Sequence, residues 1–234
     1  MRNLGSAEKL IVSGQRGPVV EQYRKLAANL LFAKSRQNAR VIMVASAVAG
    51  EGKTLTASNL ALTLAGSYRF KVLLIDADLR RPSIHGVFGL PNPCGLIDDL
   101  RGAAERASTR VAVTDNLTVV TAGRPDSDPM SALTSDRMRC LITEAAAEFD
   151  WVLIDTPPIA LLPDAHLLAE MTDAALLVVR AGHTPFSLIS RAVEVLGASR
   201  IAGVILNRVE QREIGGGYYY YGQPDYYGAT EAQR

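Results

Sequence analysis

The chain has 234 residues, 48% of them hydrophobic and 21% charged, with a formal net charge of +1. That length suits one large α/β domain, the composition is ordinary for a globular protein, and the near-neutral balance gives no broad attraction to nucleic acid. The two cysteines, Cys94 and Cys140, show no metal-ligand spacing and fit a reducing cytosol; Met1–Gly17 lacks the apolar centre of a secretory leader, and no apolar run nears the roughly 20 residues that span a bilayer.

In chain order, the first predicted element is a helix over Val19–Ala33. The apolar run Val41–Ala45 then predicts a strand. Directly after it, residues 47–54 read Ala-Val-Ala-Gly-Glu-Gly-Lys-Thr. Polyphosphate carries several negative charges that must exchange water for other donors. A tight glycine-rich turn aims successive backbone N–H groups inward, and the following helix adds the positive end of its dipole. Gly50 and Gly52 let the backbone approach without a Cβ in the way. Lys53 can reach the β- and γ-phosphates, and the Thr54 hydroxyl can ligate Mg²⁺. Glu51 and Leu55 belong to the same nucleotide-binding stretch. The usual first glycine of such a loop is Ala47 here.

A helix over Lys53–Gly66 carries Leu55, Leu60, Leu62 and Leu64. The strand Val72–Ile75 opens the run Val-Leu-Leu-Ile-Asp-Ala-Asp, followed by Leu-Arg-Arg-Pro. Asp76 and Asp78, two apart at the carboxyl end of a strand, point the same way, and ligands bind at that end of an open α/β sheet. Arg80 and Arg81 can pair with phosphate or with these acids. Next come a strand over Leu117–Thr121 and a helix over Ser135–Phe149, with Ser135 as its cap and Met138, Leu141 and Ile142 as its apolar residues. The strand Trp151–Ile154 ends at Asp155, followed by Thr-Pro-Pro. Mg²⁺ prefers oxygen ligands and keeps several waters, which nearby carboxylates can anchor. Phosphoryl transfer further needs positioning, charge neutralisation and a proton acceptor.

The last predicted elements are the strand Ala174–Val179, a helix over Leu188–Leu196 and the strand Ile201–Leu206. Short, nearly continuous apolar runs read as strands buried on both faces of a parallel sheet. Their alternation with helices implies right-handed crossovers and helices on both faces. From Ile214 the pattern stops. Tyr218, Tyr219, Tyr220, Tyr221, Tyr226 and Tyr227 crowd into ten residues and make up six of the chain's eight tyrosines. Glycines separate them, and no Lys or Arg lies among them, which argues against a nucleic-acid stacking strip. The expected organisation is an extension over 1–17, one phosphate-loop domain over 18–213 and a flexible tail over 214–234.

With these three motifs together, the chain resembles the bacterial tyrosine kinases of the capsule and exopolysaccharide type. Residues 47–54 are similar to that family's Walker A motif, 75–82 to its Walker A′ motif and 154–158 to its Walker B motif. Asp164-Ala165 and the strand ending in Leu206-Asn207 also resemble family positions. The resemblance covers about residues 18–210, and the tail in character. It implies the P-loop NTPase fold, ATP and Mg²⁺. It further implies that Lys53 and the loop amides hold phosphates, Thr54 ligates Mg²⁺, and Asp78 and Asp155 hold its waters. Asp76 would accept or polarise the tyrosine proton, and Asn207 would lie near the adenine. The six tail tyrosines would be phosphorylated in trans. Each phosphate adds about −1.5 to −2 charges, so a modified tail would resist docking at an acid-lined site.

The partners implied are a membrane activator of the chain-length-regulator type, further copies of the chain and a tyrosine phosphatase. The expected location is the cytoplasm, at the inner face of the membrane. Met1 at the start fits an activator on a separate polypeptide. The family's Glu-x-x-Arg-x-x-Arg helix motif, associated with ring assembly, is met at Glu21 and Arg24 but has Ala27 in third place. A partition-type ATPase acting as a nucleotide-dependent dimerisation switch is the alternative. Its signature Lys after the first loop residue is Val48 here. A third reading, an inactive binding module regulating polysaccharide assembly, conflicts with the intact Lys53, Thr54 and acids.

Overall fold

Helix α1 (Pro18–Gln37) precedes strand β1 (Val41–Ser46), helix α2 (Lys53–Ser67) and strand β2 (Val72–Asp76). Two short helices, α3 (Ile84–Phe88) and α4 (Leu96–Leu100), lead to strands β3 (Arg110–Thr114) and β4 (Leu117–Val120). Then follow α5 (Pro129–Leu133), α6 (Asp136–Glu148), β5 (Trp151–Asp155), α7 (Asp164–Ala169), β6 (Ala174–Arg180), α8 (Phe186–Leu196) and β7 (Ile201–Asn207). This computed structural model describes residues 10–11, 17–37, 39–105, 109–159 and 164–209. The tyrosines between Tyr218 and Tyr227, and most of the 1–17 extension, lie outside the described residues.

The strands form one sheet in the order β3-β4-β2-β5-β1-β6-β7. All neighbours are parallel except β3, which runs antiparallel to β4. The continuous apolar runs of β1, β2 and β5 have their cause here: every residue of these three strands is buried. Alternate side chains feed opposite faces. Trp151 and Leu153 pack with Leu60 and Leu64 beneath α1 and α2. Val152 and Ile154 pack with Met138, Leu141 and Ile142 of α6 on the other face. A third cluster joins Met43 and Leu177 to Ala192 and Leu196 of α8.

Local chemistry sets several boundaries. The Ser135 hydroxyl accepts from the Met138 N–H to start α6. Asp128 caps α5, with Pro129 at the first helical position, where a missing N–H costs nothing. Helix α1 bears Glu21 and Arg24 as an i,i+3 ion pair at 2.6 Å on a half-exposed face. Ala27, by contrast, is wholly buried against α2.

Two strands differ from the sequence reading. β3 was not expected; it is a partly exposed edge strand, so its residues alternate and never form an apolar run. β7 was expected to be buried on both faces. It is instead half-exposed along its length, with Val204 59% and Leu206 58% exposed; among the described residues it pairs only with β6. The short helices α3, α4, α5 and α7 are too brief to show a helical period. No helix among the described residues is long and apolar enough to cross a membrane.

The strand order positions the site. β2, β5 and β1 are consecutive in the sheet, with Asp76 in register with Asp155 and Val44 with Asp155. The phosphate loop and both acid-bearing strands therefore reach the same sheet edge side by side.

Candidate active site

Ser46 closes β1, and its hydroxyl donates to the Val48 carbonyl at 2.9 Å as the chain enters the loop. Gly50 and Gly52 take φ of 83° and 93°, a left-handed backbone that side chains disfavour. At Gly52 space is also lacking: an added Cβ would sit 2.1 Å from Asn207 Nδ2. Helix α2 starts at Lys53 with no side-chain cap and no acid in its first turn. Its N-terminal amides are thus available to an anion at the loop.

Lys53 is buried and points at the acids. Its Nζ lies 3.1 Å from Asp155 Oδ1 and 3.5 Å from Asp78 Oδ2. Asp78 Oδ1 accepts from the Arg81 N–H at 3.1 Å. Asp76 has a different environment. Its Oδ2 accepts from the Ser83 and Ile84 N–H groups at 3.0 and 2.9 Å, and its Oδ1 from the Asp78 N–H at 3.3 Å. Asp155 is fully buried, and despite the nearby ammonium neither of its oxygens has an aligned hydrogen-bond donor. A buried carboxylate beside Thr54, with one oxygen 3.1 Å from the Lys53 ammonium, suits the water shell of a hard cation. Among the described residues no three His, Cys, Asp or Glu side chains gather as a metal cage of their own.

Asn207, at the end of β7, donates from Nδ2 to the Glu51 carbonyl at 2.8 Å and so touches the loop directly. Asp164 and Ala165 open α7.

A profile of the CobQ/CobB/MinD/ParA nucleotide binding domain matches residues 42–217. The tyrosine-protein kinase YwqD of Bacillus subtilis is 37% identical over 208 residues, covering 88% of this chain and 87% of that protein. The chain belongs to the bacterial tyrosine kinases. The succinoglycan biosynthesis transport protein ExoP of Rhizobium meliloti is 35% identical over 217 residues, 88% of this kinase but 27% of ExoP. Among solved structures, the chimerical protein CapA2B2 has a TM-score of 0.82 at 30% identity, covering 87% of the kinase and 91% of its own chain. The septum site-determining protein MinD of Pyrococcus horikoshii, complexed with Mg-ADP, has a TM-score of 0.62 at 25% identity, covering 76% of the kinase and 74% of MinD. The kinase thus shares a P-loop nucleotide-binding fold with MinD, and several of its relatives, YwqD among them, are named tyrosine-protein kinases.

The charges in this kinase's site act on one another at short range. Burial pushes Lys53 down, but Asp155, Asp78 and Asp76 together outweigh it and hold the ammonium above its ordinary value. Burial pushes the Asp155 carboxyl up, against the pull of Lys53. Burial, aided by the charge of Asp155, likewise pushes Asp76 up to about 7, with the Ile84 and Ser83 amides and Lys53 opposing. The folded chain therefore holds the Asp76 proton more tightly than the unfolded chain does. Its contribution to stability is present at low pH and is lost as pH rises from about 4 through about 7. In ¹³C-labelled ligand-free kinase, the Asp76 carboxyl resonance should titrate with a midpoint near neutrality. A midpoint in the ordinary carboxylate range would contradict this environment.

Sequence reasoning missed Ser83 and Thr184. The Ser83 hydroxyl donates to Thr54 Oγ1 at 3.0 Å while its amide holds Asp76, so one residue links the first turn of α2 to the buried acid. Thr184 donates to Glu51 in the phosphate loop. A serine after Arg-Arg-Pro signals a helix start, and Thr184 carries no local signal at all.

Proposed function

We propose that the chain is an ATP-dependent autokinase that phosphorylates Tyr218, Tyr219, Tyr220, Tyr221, Tyr226 and Tyr227 of a neighbouring copy, regulating exopolysaccharide or capsule synthesis or export. One arrangement carries this reading: a buried lysine between two acids at the mouth of a left-handed glycine loop, in a chain that ends in a tyrosine cluster. A hydrolase has no use for six clustered acceptor hydroxyls. The name of ExoP, a succinoglycan biosynthesis transport protein, supports the polysaccharide setting.

Residues 18–213 form the kinase domain in this reading, and 214–234 the substrate tail. The amides of Gly50, Glu51, Gly52, Lys53, Thr54 and Leu55 bind the phosphates, and Lys53 neutralises their charge. Thr54 would hold Mg²⁺ directly and Asp78 and Asp155 through its waters; bound there, the ion offsets charge on the transferred phosphoryl group. Asp76, with its carboxyl raised toward neutrality, is poised to accept a tyrosine proton. Asn207 borders the base. The partners are a membrane activator of the chain-length-regulator type, other copies of the chain and a tyrosine phosphatase, with the kinase held at the inner membrane face by its activator.

Mixing separates transfer in trans from transfer in cis. Chains carrying Lys53→Met with an intact tail should gain phosphotyrosine only when mixed with active chains whose six tail tyrosines are Phe. The readout is mass spectrometry of the tail with Mg²⁺ and ATP present. If wild type never gains phosphotyrosine yet hydrolyses ATP unchanged after the Tyr→Phe replacements, the switch-type ATPase is the correct reading.

A further inference from the structure

Glu51 is an odd residue for a phosphate loop, because a carboxylate facing the cradle would repel the ligand. It is instead 1% exposed and turned into the protein. Its Oε2 accepts from the Val48 N–H at 2.8 Å within the loop. Its Oε1 accepts from the Arg180 N–H at 3.2 Å, at the end of β6, and from the Thr184 hydroxyl, in the turn between β6 and α8. The carbonyl of the same residue accepts from Asn207 at the end of β7. The Ala181 N–H donates to the Asn207 carbonyl at 2.9 Å, which closes a circuit of hydrogen bonds through three segments.

We infer that Glu51 is a positioning residue whose carboxylate fastens the phosphate loop to the turn between β6 and α8, setting the loop's amides for polyphosphate before nucleotide arrives. The inference rests on the nucleotide-binding reading of this loop. A charged acceptor shared by three donors makes stronger bonds than a neutral one. Holding a loop in its bound shape beforehand lowers the ordering cost of binding. Ground state and transition state benefit alike, so affinity depends on the tether more than turnover does.

The test uses calorimetry with Mg-ADP and steady-state kinetics in ATP on the full chain. Thr184→Val removes the hydroxyl while keeping the shape, and its residue is outside the loop. It should weaken nucleotide binding roughly tenfold and raise the KM for ATP in step, with kcat within about twofold of wild type. Thr184→Ser should restore binding. Glu51→Gln puts an amide donor against N–H or hydroxyl donors and should weaken binding at least as much. The double variant Glu51→Gln/Thr184→Val should be no weaker than the worse single. Unchanged binding in Thr184→Val, failure of Thr184→Ser to rescue, a fall in kcat at constant KM, or additive losses would each overturn the inference alone. No uptake of nucleotide by wild type would remove the functional reading, and this one with it.

Discussion

Lys53→Met should abolish phosphotransfer, by a thousandfold or more, and should also destabilise the ligand-free protein. The catalytic loss follows from removing a buried cation that faces both Asp78 and Asp155. Single preorganised donors at a developing charge are worth about 10²–10³ in rate, and cationic groups in phosphoryl transfer about 10³–10⁵. The stability loss has a separate origin. Asp155 is wholly buried, and without Lys53 its charge has no counterweight. Breaking a buried ion pair by removing one partner typically costs about 3–5 kcal/mol. Protonation of the abandoned carboxyl relieves that cost, so the loss should shrink as pH falls. Lys53→Met/Asp155→Asn should therefore recover thermal stability without any activity. Thermal unfolding at two pH values, together with a phosphotransfer assay, decides the matter. A single variant as stable as wild type at alkaline pH would refute the account, and so would a double variant that regains transfer.

Gly52→Ala should eliminate nucleotide binding in practice, weakening it by more than about a hundredfold, while Gly50→Ala should be milder. Both glycines have positive φ, and each substitution meets a backbone strain of about 1–2 kcal/mol. Only at Gly52 is there also a collision, at 2.1 Å, with the Asn207 amide that donates to Glu51; at Gly50 an added Cβ meets nothing within 4 Å. Relieving the collision by Asn207→Ala should rescue Gly52→Ala in part, because the backbone strain persists. Calorimetric titration of the four proteins with Mg-ADP checks the order. Equal losses at the two glycines would mean that crowding by Asn207 is unimportant.

The legible parts of this molecule are those where one chain segment holds the whole signal. β1, β2 and β5 were readable because burial on both faces demands an apolar residue at nearly every position. Asp76 and Asp155 were readable because each ends such a run, and Lys53 because it follows the glycine loop. β3 escaped because an edge strand needs only half its residues apolar, and β7 was over-read for the same reason. The helices of five or six residues escaped because a helical period cannot show over so short a span. Thr184 lies 133 residues from Glu51, and Ser83 lies 29 from Thr54; both contacts depend on which segments share the sheet's carboxyl edge. Ala27 illustrates the reverse limit. The third place of the helix motif associated with ring assembly is, in this fold, part of the packing between α1 and α2.

The outermost parallel strand carries consequences out of proportion to its length. Among the described residues β7 has a hydrogen-bonded neighbour on one side only, yet its last residue is hooked onto the phosphate loop. Strands at a sheet margin breathe before interior ones do. Gentle warming would accordingly unlatch Asn207 while β1, β2 and β5 stay intact. Native-like secondary structure is then a poor guide to a competent pocket, since the grip on nucleotide erodes before the fold does.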